Sequence, residues 1–370
     1  MKYLNLASGA SHFNSPPAAI EATINALKEN ETFYGETEGL PALREAVARL
    51  YPDEKGVKIS AENVLITSGT KQALFNLFSI LLQPGDEVLL LKPSWFGFEE
   101  MFRLTGTKPV YLETLPEENY TLQPELLESH ITGKTRLFIF SNPGNPSGKI
   151  YSKTEISGWL QVLQKYPEIK ILSDEIYDQI VFDNRETPSL LQFEDPQNKH
   201  LVVNGFSKNY GMSGWRIGYM VAPPEIINKA VHYQHATISG VNPFIQAGAV
   251  AALETPSDYL PGRIKELTQN REILCNWLSG RKEISYFRPE GAYYVFADLS
   301  RLLQQEKLQK PGLTSTAKLC ELLQQELKLE FVPGERFGLP GFVRITFAVT
   351  PSDLQEALQR LENFLSGTTS

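Results

Sequence analysis

Between Asn63 and Val221 the chain alternates short apolar runs with stretches of helical periodicity, and this alternation constrains the fold more than any other feature. The runs Val64–Thr67, Glu87–Lys92, Pro109–Glu113, Arg136–Ser141, Ile169–Ser173, Leu201–Phe206 and Ile217–Val221 read as strands. Several are apolar at successive positions, not at alternate ones. A strand that is apolar on both faces must be covered on both faces, which is the condition of a parallel sheet layered by helices. The segments Lys71–Leu82, Phe96–Leu104, Pro124–Ser129 and Lys153–Lys165 read as covering helices. Ser152 with Glu155 three residues on has the form of a capping box at the start of the last one. The expected fold class is α/β, a mostly parallel seven-stranded sheet sandwiched by helices.

Beyond this region the pattern changes. Tyr259–Ser279 reads as a long helix, Ala292–Asp298 as a strand, Ser315–Leu327 as a helix, Gly341–Ala348 as a strand and Pro351–Leu365 as a helix. That sequence of elements implies a smaller α+β domain. A chain of 370 residues has room for two domains. Its net charge of −8 argues against a nucleic-acid partner. Cys275 and Cys320 are far apart and no histidine pair stands near them, so neither a disulfide framework nor a metal site is expected. The apolar stretch Met1–Ala7 is too short for a signal peptide, and no run approaches the ~20 residues of a membrane span. A cytoplasmic protein with no membrane partner is expected.

Several residues in this frame carry chemistry. Lys208 follows the apolar run Leu201–Phe206, and Arg216 comes eight residues later inside a glycine-flanked turn. An amine nucleophile beside a fixed guanidinium suits a Schiff base to a phosphorylated aldehyde. Ser68-Gly69-Thr70-Lys71 joins a strand to a helix, where free N–H groups suit a phosphate, although many such turns carry Gly and Thr for other reasons. Trp95 follows a strand and can stack on a pyridine ring or simply fill a core. Ser141-Asn142-Pro143-Gly144-Asn145-Pro146-Ser147-Gly148 is a turn-rich loop at the carboxyl end of a strand, a place where ligands are held. Asp174 ends an apolar strand, and a carboxylate there needs a cation or donor, which a pyridinium N–H supplies. Arg344 lies inside the apolar strand Gly341–Phe347 with no acidic neighbour, so it needs an anion from elsewhere.

Taken together and in order, these motifs resemble those of the class I/II pyridoxal-phosphate aminotransferases of fold type I, from Leu6 to about Phe364. The resemblance implies that Lys208 holds pyridoxal 5'-phosphate as an internal aldimine and serves as the general base once released. It implies that Asp174 keeps the ring nitrogen protonated, that Tyr177 and Asn145 bond the phenolic oxygen, and that Trp95 stacks on the ring. Ser68, Gly69, Thr70, Lys71, Ser207 and Arg216 then complete the cofactor-binding set around the phosphate, while Glu175, next to Asp174, is expected to point elsewhere. Many relatives carry a serine where this chain has Gly205, so one phosphate contact is expected to be missing. A cis peptide is expected before Pro146. Arg344 matches the α-carboxylate arginine, with Gly9 and Asn145 facing the same carboxylate. Thr32–Arg44 matches a segment whose tyrosine, here Tyr34, reaches the phosphate of the neighbouring subunit, which implies a homodimer with shared sites. The family's arrangement divides the chain into a large cofactor-binding domain, 33–257, and a small domain from 1–32 and 258–370.

The substrates implied are an amino acid and a 2-oxo acid, with 2-oxoglutarate as acceptor. Lys71 is similar to a lysine that meets the distal carboxylate in a bacterial branch of aspartate aminotransferases and in related prephenate aminotransferases; otherwise it is a solvated lysine in the first helical turn. His12 and Phe13 stand where the family's usual pattern is lost. As pocket residues they would favour aromatic or neutral donors, so the donor stays open between these and aspartate. The same residues also suit β-elimination, and a β-lyase of the cysteine-S-conjugate or cystathionine type is the alternative. A transcription regulator on this fold would carry a basic DNA-binding region ahead of Tyr34, where no basic cluster occurs.

Overall fold

The computed structural model describes residues 1–52, 58–255, 259–305 and 313–366. Strands β1 (Val64–Thr67), β2 (Glu87–Lys92), β3 (Lys108–Glu113), β4 (Thr135–Ser141), β5 (Lys170–Asp174), β6 (His200–Gly205) and β7 (Gly218–Val221) form one seven-stranded sheet in the order β1-β7-β6-β5-β4-β2-β3. β7 is antiparallel to both β1 and β6, and the remaining pairs are parallel. Each expected strand is present with its ends moved by at most a residue.

The continuous apolar runs have a direct cause in this sheet. Successive residues of a strand point to opposite faces. Phe138 and Phe140 join the core on one face with Trp159, while Leu137 and Ile139 join the core on the other with Leu74 and Phe78. Each such buried side chain contributes about 1.5–3 kcal/mol, so neither face can be left to water. The helix Lys153–Leu163 starts at the expected capping box: Glu155 N–H donates to Ser152 Oγ, and Ser152 N–H donates to Glu155 Oε2 at 2.9 Å.

Four helices of nine residues or more escape the periodicity argument: Pro17–Lys28, Pro41–Arg49, Pro224–Thr237 and Pro243–Leu253. Each opens on a proline, whose fixed φ and missing N–H suit a helix start. That was the available signal.

The C-terminal part builds a four-stranded antiparallel sheet in which Phe342–Thr346 lies between Val332–Pro333 and Tyr294–Asp298, with Ser285–Tyr286 at the far edge. The N-terminal residues belong to it: Leu4–Asn5 pairs in parallel with Leu329–Glu330, and Thr346 N–H donates to Leu6 O at 2.9 Å. The expected domain boundary at 257/258 lies outside the described residues. One apolar core joins Ile176, Tyr177 and Ile180, just past β5, to Tyr293, Tyr294 and Phe347. The seam between the two sheets is therefore packed, and the polar cavity described next lies along it.

Candidate active site

The carboxyl ends of β4, β5 and β6 deliver Ser141, Asp174 and Ser207 to one cavity of about 510 Å³, in line with the general siting of ligands in open α/β sheets. Its walls include Gly9, Thr70, Lys71, Trp95, Asn145, Tyr177, Lys208, Arg216, Tyr294 and Arg344. Charge on these walls is lopsided: Lys71, Lys208, Arg216 and Arg344 face Asp174 alone. Four cations against one carboxylate make the cavity a receptacle for several anionic groups.

Two glycines bring the first turn of the helix Thr70–Leu81 against the sheet. Gly205 of β6 pairs with Gly218 of β7. A Cβ on Gly205 would stand 2.8 Å from Gly218 Cα, and one on Gly218 would stand 2.8 Å from Thr70 N. A serine at 205 therefore has no room, which explains the departure from the resembled pattern at that position. Gly69 adopts φ +80°, and a Cβ there would lie 2.5 Å from Arg216 Nη2. The guanidinium thus lies across the glycine, donating to Ser213 O at 2.9 Å and Ser68 O at 3.3 Å. No carboxylate pairs with Arg216 among the described residues.

Asp174 is buried, and among the described residues its carboxylate accepts only a backbone N–H, from Ile176 at 3.3 Å. Burial pushes its carboxyl up to about 6, against a smaller opposing pull from Lys208. Burial likewise lowers the Lys208 amine, with Arg344 and Arg216 pushing the same way and Tyr294 and Asp174 opposing. Its Nζ donates to Gly9 O and lies 5.7 Å from the Tyr177 ring centroid. Glu175, next to Asp174, faces away: it accepts from Leu190 N–H at 2.8 Å, and burial raises its carboxyl to about 8.

Arg344 is 3% exposed. Nη1 donates to Asn145 Oδ1 at 3.0 Å and Nη2 to Ala7 O at 2.7 Å, while Nε is buried with no partner. No carboxylate stands within salt-bridge range of it among the described residues, so it is left free to hold an anion that enters the cavity. Trp95 lies against Gly97, where a Cβ would strike the indole at 2.2 Å, and Lys71 Nζ stands 5.3 Å over the indole. Lys92–Pro93, Asn142–Pro143 and the expected Asn145–Pro146 peptides are cis.

Most of the expected set therefore meets in one place. Ser68 and Gly69 sit behind Arg216 and do not line the cavity. Tyr34 lies outside it and is 96% exposed. His12 and Phe13 are corrections: neither lines the cavity. His12 Nε2 pairs with Glu266 Oε1 at 2.8 Å and its Nδ1 meets Ala348 O, while Phe13 is buried in the core under the Arg263 guanidinium. Sequence reasoning missed Tyr294 and Phe96, which line the cavity, and Tyr293, whose hydroxyl donates to Gly9 O at 2.6 Å. Adjacent tyrosines in an otherwise apolar strand were the only trace of them.

The donor set passes a chemical test for pyridoxal phosphate. Asp174 is a buried carboxylate without a cation, Arg216 a guanidinium without an anion beside a helix start, and Lys208 a buried amine between them. These features define a lysine-centred site for a phosphorylated, ring-protonated cofactor and a carboxylate-bearing substrate. The sequence matches the family Aminotransferase class I and II over residues 1–361, and the chain belongs to that family.

It is 33% identical over 368 residues to the aspartate/prephenate aminotransferase of Nitrosomonas europaea, covering 98% of this chain and 92% of that one. It is 32% identical over 357 residues to the aspartate aminotransferase of Rhizobium meliloti, covering 96% and 87%. The crystal structure of an aspartate aminotransferase from Rhizobium meliloti superposes with a TM-score of 0.93, over 98% of this chain and 91% of that one at 32% identity. The aspartate aminotransferase of Thermus thermophilus with maleate gives 0.89 at 30% identity, over 98% and 91%. The protein is an aminotransferase and its cofactor is pyridoxal 5'-phosphate. These relatives carry aminotransferase names and lend no support to the β-lyase alternative. None of the described helices is long and apolar enough to cross a membrane, and the described residues hold no cluster of three or more metal-ligating side chains.

Proposed function

We propose that the enzyme takes its amino group from aspartate and passes it to a dicarboxylic 2-oxo acid such as 2-oxoglutarate. One observation carries this reading: Lys71 and Arg344 are two separate cations in one cavity, neither paired with a carboxylate of the described chain. Arg344 supplies a planar fork for the α-carboxylate. Lys71, over the Trp95 indole, supplies a point charge for the distal one. The names of the relatives from Nitrosomonas and Rhizobium, and the dicarboxylate maleate in the Thermus structure, support the choice. With Phe13 out of the cavity, the case for an aromatic donor loses its residue.

When bound, the cofactor supplies an electrophilic carbon and a ring that takes up the electron pair left on the substrate's α-carbon. The chain's residues then have distinct tasks. Asp174 holds a proton on the ring nitrogen, and that partner's positive charge returns its carboxyl to the ionised form. Tyr177 and Asn145 would hold the cofactor by its phenolic oxygen, and Trp95 would pack against its ring. The Thr70 region, Ser207 and Arg216 hold the phosphate. Lys208, its proton affinity lowered by burial, moves the proton of the substrate's α-carbon at Nζ. Arg344, Asn145 and the Gly9 backbone orient the carboxylate so that this proton faces Lys208.

The same reading divides the chain into domains 33–257 and 1–32 with 258–370, and pairs two copies in a homodimer. Phe33 at 79% and Tyr34 at 96% exposure, and Ile20, Ile24 and Leu27 on the helix before them, are apolar side chains left exposed that a second copy would cover, with Tyr34 reaching the partner's phosphate. The test is a half-reaction titration of the holoenzyme with aspartate, alanine and phenylalanine, in wild type and Lys71→Met. Aspartate should react fastest, and Lys71→Met should lower its kcat/KM by about tenfold while leaving alanine within about twofold. Equal losses for aspartate and alanine would remove Lys71 from substrate choice.

A further inference from the structure

Tyr294 opens the strand Tyr294–Asp298 and is fully buried. It touches two of the groups on which the proposed mechanism depends and borders a gap shared with a third. Its hydroxyl lies 2.7 Å from the Tyr177 hydroxyl. The Arg344 guanidinium sits 4.2 Å from its ring centroid. A Cβ built on Gly9 would lie 3.6 Å from its oxygen and 3.6 Å from Lys208 Nζ, so hydroxyl and amine border the same gap.

A phenol has one proton to give and lone pairs with which to accept. If Tyr177 spends its proton on the phenolic oxygen of the cofactor, the hydroxyl pair must be completed by the proton of Tyr294. Resting on the proposed role of Tyr177, we infer that Tyr294 is a positioning residue, whose hydroxyl donates to the Tyr177 oxygen and turns the Tyr177 proton toward the cofactor's phenolic oxygen. A hydroxyl that accepts one hydrogen bond becomes a stronger donor in the next, by roughly 10–30%. The charged and titratable groups around the pair are Tyr293, which immediately precedes the strand, Arg344 on the adjacent strand, Lys208 just past β6, and Asp174 at the end of β5 on the same cavity wall. Asp174, the one carboxylate among them, is held by the Ile176 N–H.

The test is the pH titration of the visible absorption band of the holoenzyme in wild type, Tyr177→Phe, Tyr294→Phe and Tyr293→Phe. A weaker donor leaves the phenolic oxygen more basic, so the midpoint moves up. The expected shift is on the order of 0.5 pH unit in Tyr294→Phe, from one lost hydrogen bond, and larger in Tyr177→Phe. The midpoint should stay in place in Tyr293→Phe, whose hydroxyl donates to Gly9 O. In Tyr294→Phe the kcat for aspartate should fall more than KM rises, because Arg344 keeps its bonds to Asn145 and Ala7. Melting of the holoenzymes checks that the Phe ring packs as the Tyr ring did. An unmoved midpoint in Tyr294→Phe beside a moved one in Tyr177→Phe overturns the inference, and so does an equal shift in Tyr293→Phe. A wild type with no visible band, or no shift in Tyr177→Phe, overturns the reading of the site itself and the inference with it.

Discussion

Arg344→Ala gives the sharpest prediction, because the structure sets its size. The side chain is 3% exposed, so solvent screens its charge little. A guanidinium has five N–H donors, and two of its nitrogens are engaged within the chain, with Asn145 and Ala7. Nε has no partner. Enough donors remain for a two-point grip on a carboxylate. Truncating one side of such a buried pair costs about 2–5 kcal/mol, and each 1.4 kcal/mol is about tenfold. A mid-range loss of about 3 kcal/mol predicts that kcat/KM for aspartate falls roughly a hundredfold, chiefly through KM. Arg344→Lys keeps the charge and loses the fork, and should fall about tenfold. The assay is steady-state transamination alongside a cofactor titration by absorbance. Cofactor affinity should hold within a few-fold, because the phosphate is expected at Arg216 and Thr70. A kcat/KM within twofold of wild type, or a loss that tracks the loss of cofactor, would refute the carboxylate role.

Lys208→Ala should yield a protein without turnover and without the absorption of a lysine-bound cofactor; turnover near the wild-type rate would overturn the mechanism. Asp174 predicts a pH effect on the cofactor-free protein. Its folded carboxyl is raised to about 6, above the unfolded value of about 3.9. The folded state then binds more protons between those values, so stability falls as pH rises through that window and the cost is fully present above it. Asp174→Asn should therefore raise the Tm of the cofactor-free protein at about pH 8, leave it near wild type at about pH 4, and weaken cofactor binding at both. A variant that melts no higher than wild type at about pH 8 would refute the burial argument. The cost removed is on the order of 3 kcal/mol at most.

How far the sequence reaches can be followed residue by residue. Phe138 to Phe140 show a covered strand because apolar side chains at successive positions leave no face for water. Ser152 and Glu155 show a helix start because their bonds close within one turn. Lys208, Asp174 and Arg344 were legible because an ionisable group in an apolar run demands a partner. The helices that begin at Pro17 and Pro243 pack their alanine-rich faces on each other, and in Pro243–Leu253 such packing leaves little amphipathic contrast to read.

By itself, then, the sequence determined the seven strands of the large sheet, the helices between them and the identity of the charged groups, since those depend on neighbours a few positions away. Tertiary structure alone decided who meets whom. It took His12 and Phe13 out of the cavity by giving them Glu266 and a core to pack on. It made Gly205 a matter of strand spacing at Gly218, and it brought Tyr294 against Tyr177 and Arg344, residues distant from it along the chain. No local pattern encodes such meetings, because they arise where two sheets close on each other and every buried polar atom must find its partner across that seam.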